Sequence, residues 1–336
     1  MKVGIIGLGY WGPNLVRNFL GNKNVDSVIG CDQNPARLKF IEEKFPGVKL
    51  TSDVAVLLKD PNIDIIAIAV PVRFHYELAK KALESGKHIW VEKPFTASSK
   101  EAEELISIAE KKRLQIFVDH TFIYTGAVQK IHEIVTKGEL GEVIYFDSVR
   151  VNLGLFQHDV NVIWDLAPHD LSIMDYLLHK KISGVSANGI ANYYNHENVA
   201  HLSVYFEDNC FAHFHVNWTS PVKIRRMLLG GKKKMLVFDD MENSEKIKIY
   251  DSGVEIENQE GIYSALVQYR IGDMHSPKVG QTEALSLGVK EFIEAIQQNR
   301  KPLTSGIDGL RVVKILEASE QSIKQQGKFI KIEDVA

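Results

Sequence analysis

The stretch KVGIIGLGYWG, which runs from Lys2 to Gly12, decides the fold. Residues 3–6 are apolar or small, the glycines follow the pattern GxGxxG, and an amphipathic stretch at residues 13–20 comes next. Strand, glycine-rich turn and helix in this order begin a dinucleotide-binding βαβ unit, because glycines let the backbone approach a pyrophosphate at the positive helix N-terminus. The cofactor contacts expected from this turn are Gly7, Gly9, Tyr10, Trp11 and Gly12.

An acidic residue follows the second predicted strand. Asp32 stands 20 residues beyond Gly12. A carboxylate there accepts hydrogen bonds from the ribose hydroxyls of NAD and repels the 2′-phosphate of NADP. The sequence therefore predicts NAD as the cofactor, with NADP less favoured, and Arg37 against the adenine. The alternative is a structural turn with Asp32 as a loop cap.

The first 120 residues alternate short apolar strands with amphipathic helices. Such alternation indicates βαβ units, and the right-handed crossover rule favours an α/β Rossmann fold with a doubly wound parallel sheet. We therefore predict an NAD(P)-binding domain at residues 1–120. The expected strands are residues 3–6, 25–30, 64–69, 88–91 and 115–118.

The pattern changes after residue 120, where consecutive strands follow one another with few helices between them. Alternation such as His213-Phe214-His215-Val216 is typical of antiparallel strands with two different faces. We predict an α+β domain with a large, mostly antiparallel sheet at residues 121–336, which binds substrate and forms the oligomer. Two final helices, at residues 283–297 and 309–325, are candidates to pack back on the first domain.

The composition is that of a soluble globular protein and excludes several classes. The chain has 336 residues, 45% of them hydrophobic, and a net charge of −3, so no positive charge excess favours nucleic acid or an anionic membrane. Cys31 and Cys210 lie far apart without metal or redox spacing, which predicts free, buried thiols. We expect a cytoplasmic location.

Glu92-Lys93-Pro94 closes the predicted strand at residues 88–91. Ligands of open parallel sheets bind outside the carboxyl ends of the strands, and Pro94 restricts the backbone of Lys93. A lysine held next to a nicotinamide could act on a substrate hydroxyl. We therefore expect Glu92 and Lys93 to border the cofactor.

The segment Val70-Pro71-Val72-Arg73-Phe74-His75 follows the third predicted strand. Its loop should pass along the dinucleotide, which makes Val70, Pro71 and His75 candidate cofactor contacts. His75 could equally be a packed histidine at the start of a helix.

Asp165 and His169 stand four residues apart in Trp164-Asp165-Leu166-Ala167-Pro168-His169-Asp170, so on a helix they share one face. Proline is tolerated in the first turn of a helix, which predicts a helix over residues 168–178. A carboxylate and an imidazole together suit general-base catalysis. The alternative is that Asp165 caps the helix while His169 packs.

Other polar residues lie at segment ends and suit sugar hydroxyls or a phosphate. His213 and His215 share a strand face, but no third ligand stands nearby, so no metal site is expected. The candidate substrate contacts are His120, Tyr124, Arg150, Asn152, His158 and Asn161.

The glycine-rich turn, Glu92-Lys93-Pro94 and Asp165-x-x-x-His169, in this order over essentially the whole chain, resemble the Gfo/Idh/MocA oxidoreductase family. The resemblance implies a Rossmann domain that binds NAD or NADP, a second-domain sheet that forms the subunit interface of a homodimer or homotetramer, and often a cis bond before Pro94. It implies that Lys93 is the catalytic lysine, His169 the acid–base group and Asp165 its partner. Ser172 departs from the family, since many members have an aspartate three residues after the histidine.

The longer segments around Gly9–Asn14, His120–Phe122 and Val151–Gly154 resemble the branch that acts on nucleotide-linked sugars. A UDP-N-acetylhexosamine or its uronate, oxidised in the manner of a 3-dehydrogenase, is the expected substrate. Three alternatives stay open: a dehydrogenase of inositol, another polyol or a free sugar; a glycoside-cleaving enzyme with tightly bound NAD; and a non-catalytic dinucleotide-binding regulator.

Overall fold

The structure of the protein, a computed structural model, describes residues 1–154, 160–193, 195–256 and 267–333. The chain forms two compact units. Unit 1 consists of Met1–Tyr124 together with Thr282–Lys314, and unit 2 consists of Thr125–Gln281 together with residues 315–333.

Unit 1 is built on a six-stranded parallel sheet. The strands are β1 (Lys2–Ile6), β2 (Ser27–Cys31), β3 (Lys49–Thr51), β4 (Ile65–Ile68), β5 (His88–Glu92) and β6 (Ile116–Asp119). Between them lie α1 (Gly12–Leu20), α2 (Pro35–Lys44), α3 (Val54–Lys59), α4 (His75–Glu84) and α5 (Ser99–Lys112). The strands lie in the order β3-β2-β1-β4-β5-β6, so successive strands are added first on one side of β1 and then on the other. The predicted doubly wound Rossmann fold is confirmed.

The register of this sheet brings the carboxyl ends of its strands to one edge. Ile6 at the end of β1 pairs with Cys31 of β2 and Ile68 of β4. At the ends of β5 and β6, Glu92 pairs with Asp119. Side chains that follow these strands therefore meet along a single edge.

Unit 2 is built on a nine-stranded sheet. Its strands are β7 (Val143–Leu153), β8 (Ile182–Ile190), β9 (Val199–Phe206), β10 (Phe211–Asn217), β11 (Thr219–Gly231), β12 (Met235–Asp239), β13 (Ile247–Ile256), β14 (Val267–His275) and β15 (Ile330–Lys331). They lie in the order β14-β13-β12-β11-β7-β10-β9-β8-β15, and within the described ranges β7 and β10 are parallel while the other neighbouring strands are antiparallel. The predicted large, mostly antiparallel sheet is confirmed.

The helices of the second half are α6 (Gly126–Thr136), α7 (Val162–Leu178), α8 (Ala284–Gln297) and α9 (Gly306–Lys324). In unit 1, α8 covers the sheet: Trp90 of β5 stacks on Phe117 of β6 with ring centroids 3.9 Å apart, and Phe292 of α8 lies 5.3 Å from Phe117. None of the helices within the described ranges combines the length and apolar character needed to cross a bilayer.

The unit 2 sheet has two chemically different faces, as the alternation along β10 predicts. Ala212, Phe214 and Val216 are buried on the face that α7 covers. His213 and His215 point to the other face with His201 of β9, whose ring is stacked 4.3 Å from that of His215. Burial lowers the pKa of both His201 and His215, and neighbouring histidines add to the shift.

Candidate active site

The glycine-rich turn of unit 1 requires glycine at two positions for a steric reason. Gly7 has φ of +94°, and a Cβ atom on it would lie 2.3 Å from the carbonyl oxygen of Ala69. A Cβ atom on Gly12 would lie 2.4 Å from the carbonyl oxygen of Gly7. The two glycines therefore let β1, the turn and α1 pack against the loop after β4, as the sequence predicts for a phosphate-binding turn.

Asp32 lies against this turn at the end of β2. Its Oδ2 accepts a hydrogen bond of 2.8 Å from the backbone N–H of Leu8, and its Oδ1 accepts one of 2.8 Å from Asn34. The half-exposed guanidinium of Arg37 lies 3.4 Å from Oδ2. Asp32 thus fixes the turn relative to β2 while its carboxylate borders an open cavity.

That cavity, of about 460 Å³, lies beside the ends of β1, β2 and β4. Its size is in the range of ligand pockets. Helix α1 begins next to it, and among the described residues no side chain caps that helix, so its first backbone amide remains available for a phosphate. The lining combines charged side chains with apolar ones, which suits the adenosine half of a dinucleotide. Lining residues include Gly7, Asp32, Arg37, Val70, Pro71 and Lys81.

Other residues of the turn differ in their surroundings. The side chain of Tyr10 is 95% exposed, whereas Trp11 donates a hydrogen bond of 3.2 Å from Nε1 to Asp119 Oδ2 at the end of β6. Gly9 faces the guanidinium of Arg37, 3.4 Å from the place where a Cβ would stand. Cofactor contact by Tyr10, Trp11 and Gly9 stays a prediction.

His75 connects two loops of unit 1. Its Nδ1 lies 2.9 Å from the carbonyl oxygen of Pro94, and its Nε2 lies 2.8 Å from that of Val70. The ring is buried at the start of α4, and burial lowers its pKa. A neutral imidazole has one N–H and donates to one of these carbonyls, so His75 packs between the loop after β4 and the loop after β5, and its contact with the cofactor stays a prediction.

Lys93 follows directly on β5, and the Lys93–Pro94 peptide bond is cis. Burial is the main cause that lowers the pKa of His120 to about 3, and the positive charge of Lys93 adds to it. The charge of Lys93 also acts to lower the pKa of His75 and of Glu92. Its ammonium therefore supplies positive charge at the carboxyl ends of β5 and β6.

His120 is the most informative of the predicted substrate contacts. The side chain is 1% exposed, and neither ring nitrogen has a hydrogen-bond partner among the described residues. Its low pKa keeps the ring neutral at physiological pH, so one nitrogen donates and the other accepts. Buried polar groups without partners are rare and call for an explanation, such as a ligand that completes them.

Tyr124 has a structural partner in the same unit. Its hydroxyl lies 3.0 Å from Thr304 Oγ1, and burial raises its pKa well above the ordinary value. This hydrogen bond accounts for the hydroxyl, and contact of Tyr124 with a substrate stays a prediction.

In unit 2, the helix that carries Asp165 and His169 starts earlier than predicted. The expectation that Pro168 stands in its first turn is wrong, because α7 begins at Val162. Asn161 caps it: its Oδ1 accepts hydrogen bonds of 3.1 Å from the N–H groups of Ile163 and Trp164. The cap satisfies N–H groups at the start of α7, and Pro168 therefore lies in the helix interior, where it has no N–H to donate to the preceding turn.

Asn161 and Asp165 both have partners that the sequence did not reveal. The amide of Asn161 donates to Glu197 Oε2 at 3.0 Å, which makes the residue a helix cap tied to the β8–β9 connection. Trp218, just after β10, donates from Nε1 to Asp165 Oδ2 at 3.0 Å. His169 follows Asp165 by one helical turn on α7, as predicted.

Arg150 lies in the interior of unit 2. Its guanidinium forms a hydrogen-bonded ion pair with Asp170 of α7, with Nη2–Oδ1 at 2.5 Å and side chains 4% and 2% exposed. Ser148 Oγ donates to the same carboxylate at 2.7 Å. Residues 148 and 150 lie on the same face of β7. This alternation is the sequence signal that could have indicated a common partner for the two side chains. This pair accounts for Arg150, so its contact with substrate stays a prediction.

The structure groups the candidate residues in two sets, one in each unit. Gly7, Asp32, Val70, Lys93 and His120 stand along the carboxyl edge of the unit 1 sheet. Asp165 and His169 stand on α7 of unit 2, and Asn152 stands near the end of β7. His158 lies outside the described residues.

Two family models match the chain, one over the Rossmann region and one over part of the region that follows. The oxidoreductase family GFO_IDH_MocA, with an NAD-binding Rossmann fold, matches residues 1–120. The GFO/IDH/MocA C-terminal domain matches residues 128–237. Both models belong to one family, and together they span most of the chain.

Several curated relatives named as dehydrogenases match the chain at low identity. The UDP-N-acetylglucosamine 3-dehydrogenase of Acidithiobacillus ferrooxidans is 24% identical over 317 residues, which cover 93% of this chain and 94% of that protein. The scyllo-inositol 2-dehydrogenase (NADP(+)) of Bacillus subtilis is 22% identical, with 97% of this chain and 94% of that protein covered. With other relatives, such as a dehydrogenase of Comamonas testosteroni at 25% identity, the alignment covers about half of the relative's length.

Solved structures share the fold over the full chain. The structure of the same Acidithiobacillus enzyme has a TM-score of 0.78 at 22% identity and covers 97% of this chain and 98% of its own. Levoglucosan dehydrogenase in complex with NADH and L-sorbose has a TM-score of 0.84 at 17% identity, with coverage of 100% and 99%. At these identities the likeness establishes the fold.

Proposed function

We propose that this chain, which belongs to the Gfo/Idh/MocA oxidoreductase family, transfers hydride between NAD and a secondary hydroxyl or ketone of a sugar. One observation carries the proposal. The glycine-rich turn, the cavity beside Asp32, Lys93 and the neutral His120, whose ring has no partner in the described part of the chain, all stand on one edge of the unit 1 sheet. This edge is where open α/β sheets bind ligands.

The roles of the chain's own residues follow from their charge and position. A bound nicotinamide would supply the hydride acceptor. Lys93 would donate hydrogen bonds to the reacting oxygen and stabilise its developing negative charge. His120, neutral and buried, would donate to or accept from a second substrate oxygen.

Proton transfer is assigned to unit 2. We propose His169 as the group that takes the hydroxyl proton, because an imidazole titrates near neutral pH. Asp165 would hold His169 or a neighbouring substrate hydroxyl in place. Its own carboxylate accepts a hydrogen bond from Trp218. These assignments rest on the residue types, on the shared face of α7 and on the family.

We propose a nucleotide-linked sugar as the substrate. The support is the similarity over 93% of the chain to an enzyme named for UDP-N-acetylglucosamine. Relatives named for scyllo-inositol and levoglucosan support the alternative of a polyol or free sugar.

A panel assay tests both levels of this proposal. The purified protein is incubated with NAD or NADP and with UDP-N-acetylglucosamine, its uronate, scyllo-inositol or levoglucosan, and the absorbance of the reduced cofactor is followed. NADH formation with a UDP-sugar is expected. Turnover with inositol or levoglucosan alone would replace the substrate assignment, and dinucleotide binding without turnover on any substrate would contradict the enzymatic function.

Replacing Asp32 with alanine is expected to lower NAD affinity by about tenfold or more, because a charged hydrogen bond to ribose contributes roughly 1.5–3 kcal/mol. NADP affinity should fall less or rise, since the repelling carboxylate is gone. Calorimetric titration with both cofactors measures the ratio. Asp53→Ala is the control, because Asp53 also caps a helix of unit 1 through a backbone N–H. An unchanged NAD-to-NADP ratio in Asp32→Ala would contradict the cofactor assignment.

We also propose that the chain forms a homo-oligomer through the face of the unit 2 sheet opposite α7. This face carries a cluster of aromatic rings in which Tyr205 contacts Phe211 and Phe329, and Phe329 is 46% exposed. Exposed apolar clusters of this kind mark interaction surfaces. Light scattering after size exclusion is expected to give a dimer or tetramer.

A further inference from the structure

Two carboxyl groups meet at the carboxyl edge of the unit 1 sheet. Glu92 ends β5, Asp119 ends β6, and the two residues are aligned in the parallel register. The parallel register places the two side chains next to each other on the same face of neighbouring strands. Asp119 is 2% exposed, and the Oε1 atom of Glu92 is buried without a partner among the described residues. Two ionised carboxylates at this place would repel one another with little water to screen them.

The surroundings of the two groups are unequal. Asp119 accepts a hydrogen bond of 3.2 Å from Trp11 Nε1 and one of 2.5 Å from Thr121 Oγ1. Burial raises the pKa of Asp119 as well, but these two donors oppose that shift because they stabilise the ionised form. Burial, followed by the charge of Asp119, raises the pKa of Glu92 well above its ordinary value, and the nearby charge of Lys93 opposes this shift. Asp119 is therefore the acceptor, and Glu92 carries the hydrogen.

We infer that Glu92 and Asp119 share one proton, and that this pair positions Lys93 on one side and Trp11 of the glycine-rich turn on the other. Glu92 precedes Lys93 in the chain, and Asp119 holds the indole of Trp11 directly. The link thus runs from the phosphate-binding turn, through the ends of β6 and β5, to the proposed catalytic lysine. Both carboxyl groups act as positioning residues.

The charges around the pair agree with one shared proton. Lys93 is the cation next to Glu92. His75 and His120, two further titratable groups whose pKa values Lys93 affects, both have lowered pKa values, chiefly through burial, and are neutral at pH 7. A pair with one negative charge balances one ammonium, whereas a doubly ionised pair leaves an excess buried charge.

The test compares Glu92→Gln with Asp119→Asn, and uses Glu84→Gln, an exposed glutamate of α4, as the control. Glutamine can still donate to Asp119 but cannot titrate. In Asp119→Asn, the amide oxygen can accept a hydrogen bond from Trp11 or from Thr121. The negative charge that strengthens both hydrogen bonds is lost. Hydrogen exchange of peptides from β5 and β6 is measured between about pH 5 and pH 9 without ligand, and NAD affinity is measured by calorimetry at pH 7.

In the wild-type chain, unfolding releases the proton of Glu92 at any pH between the ordinary pKa of a glutamic acid, about 4.3, and its raised value in the folded state. The stability that the proton confers is therefore lost as pH rises through this window. The ratio of wild-type to Glu92→Gln exchange rates is expected to rise by up to about tenfold per pH unit. Comparison at equal pH cancels the intrinsic exchange rate, and Glu84→Gln should follow the wild type.

At pH 7 we expect Asp119→Asn to bind NAD about tenfold more weakly than the wild type, because Trp11 loses a charged acceptor, and Glu92→Gln to lose less affinity than Asp119→Asn. An exchange ratio that stays flat with pH would overturn the shared proton. Equal losses of NAD affinity in both variants would overturn the division of roles. The inference rests on the proposed function where it assigns NAD to the turn. A wild-type protein that binds no dinucleotide would refute that function, while the exchange ratio would still decide the protonation of the pair.

Discussion

Replacing Lys93 with methionine is expected to lower turnover by about 10³-fold while NAD affinity changes little. Methionine keeps most of the length of the side chain but removes the ammonium, and with it the stabilisation of charge on the reacting oxygen. The loss should appear in kcat and in kcat/KM alike, because the interaction strengthens in the transition state. Stopped-flow measurement of NADH formation with the substrate identified in the panel assay tests this.

Lys111→Met is the matched control for this prediction. Lys111 is an exposed lysine of α5 in the same unit, so its replacement removes the same charge far from the carboxyl edge. It should leave turnover unchanged. Near-normal turnover in Lys93→Met would show that another group stabilises the oxygen and would contradict the assigned role.

Replacing Gly7 with alanine is expected to destabilise unit 1 by ~3 kcal/mol or more and to weaken NAD binding severely. Two costs combine at this position. The backbone has φ of +94°, which L-residues with a side chain avoid, and the new Cβ would lie 2.3 Å from the carbonyl oxygen of Ala69. Backbone atoms cannot yield as a flexible side chain would, so β1 or the loop after β4 must move. Urea unfolding and calorimetry measure the two effects.

Gly86→Ala separates the two costs. Gly86 also has a positive φ, +77°, but nothing lies within 4 Å of the place of its Cβ. It should cost only the conformational penalty of about 1–2 kcal/mol and leave NAD binding intact. Equal destabilisation by both replacements would mean that the contact with Ala69 does not limit the turn.

The local part of the candidate site could be predicted from the sequence because it depends on residues close in the chain. Gly7, Gly12 and Asp32 belong to one βαβ unit, and the turn, the strand end and the helix start are all set within it. Asp165 and His169 likewise share a helix face through their spacing alone. The start of α7 was predicted wrongly, because the rule that proline belongs in the first turn placed it at residue 168, whereas Asn161 caps the helix seven residues earlier.

Partners that come from distant segments were not predictable in the same way. Arg150 was expected at a substrate, yet it meets Asp170 because β7 and α7 pack together in unit 2. Trp218 reaches Asp165 only because β10 ends beside that helix. A short segment like β3, with three residues of mixed polarity, carries no period from which a strand can be inferred.

The sequence by itself determined the Rossmann unit, the dinucleotide turn, the acidic residue at the end of β2 and the position of Lys93 after β5, because each follows from a period or a spacing within about 30 residues. Only the tertiary structure decided which side chains complete the site. Glu92 and Asp119 are 27 residues apart and meet because β5 and β6 are neighbours in register. A buried carboxyl group takes its charge from whatever lies beside it, and the neighbours of a strand end are a property of the folded sheet.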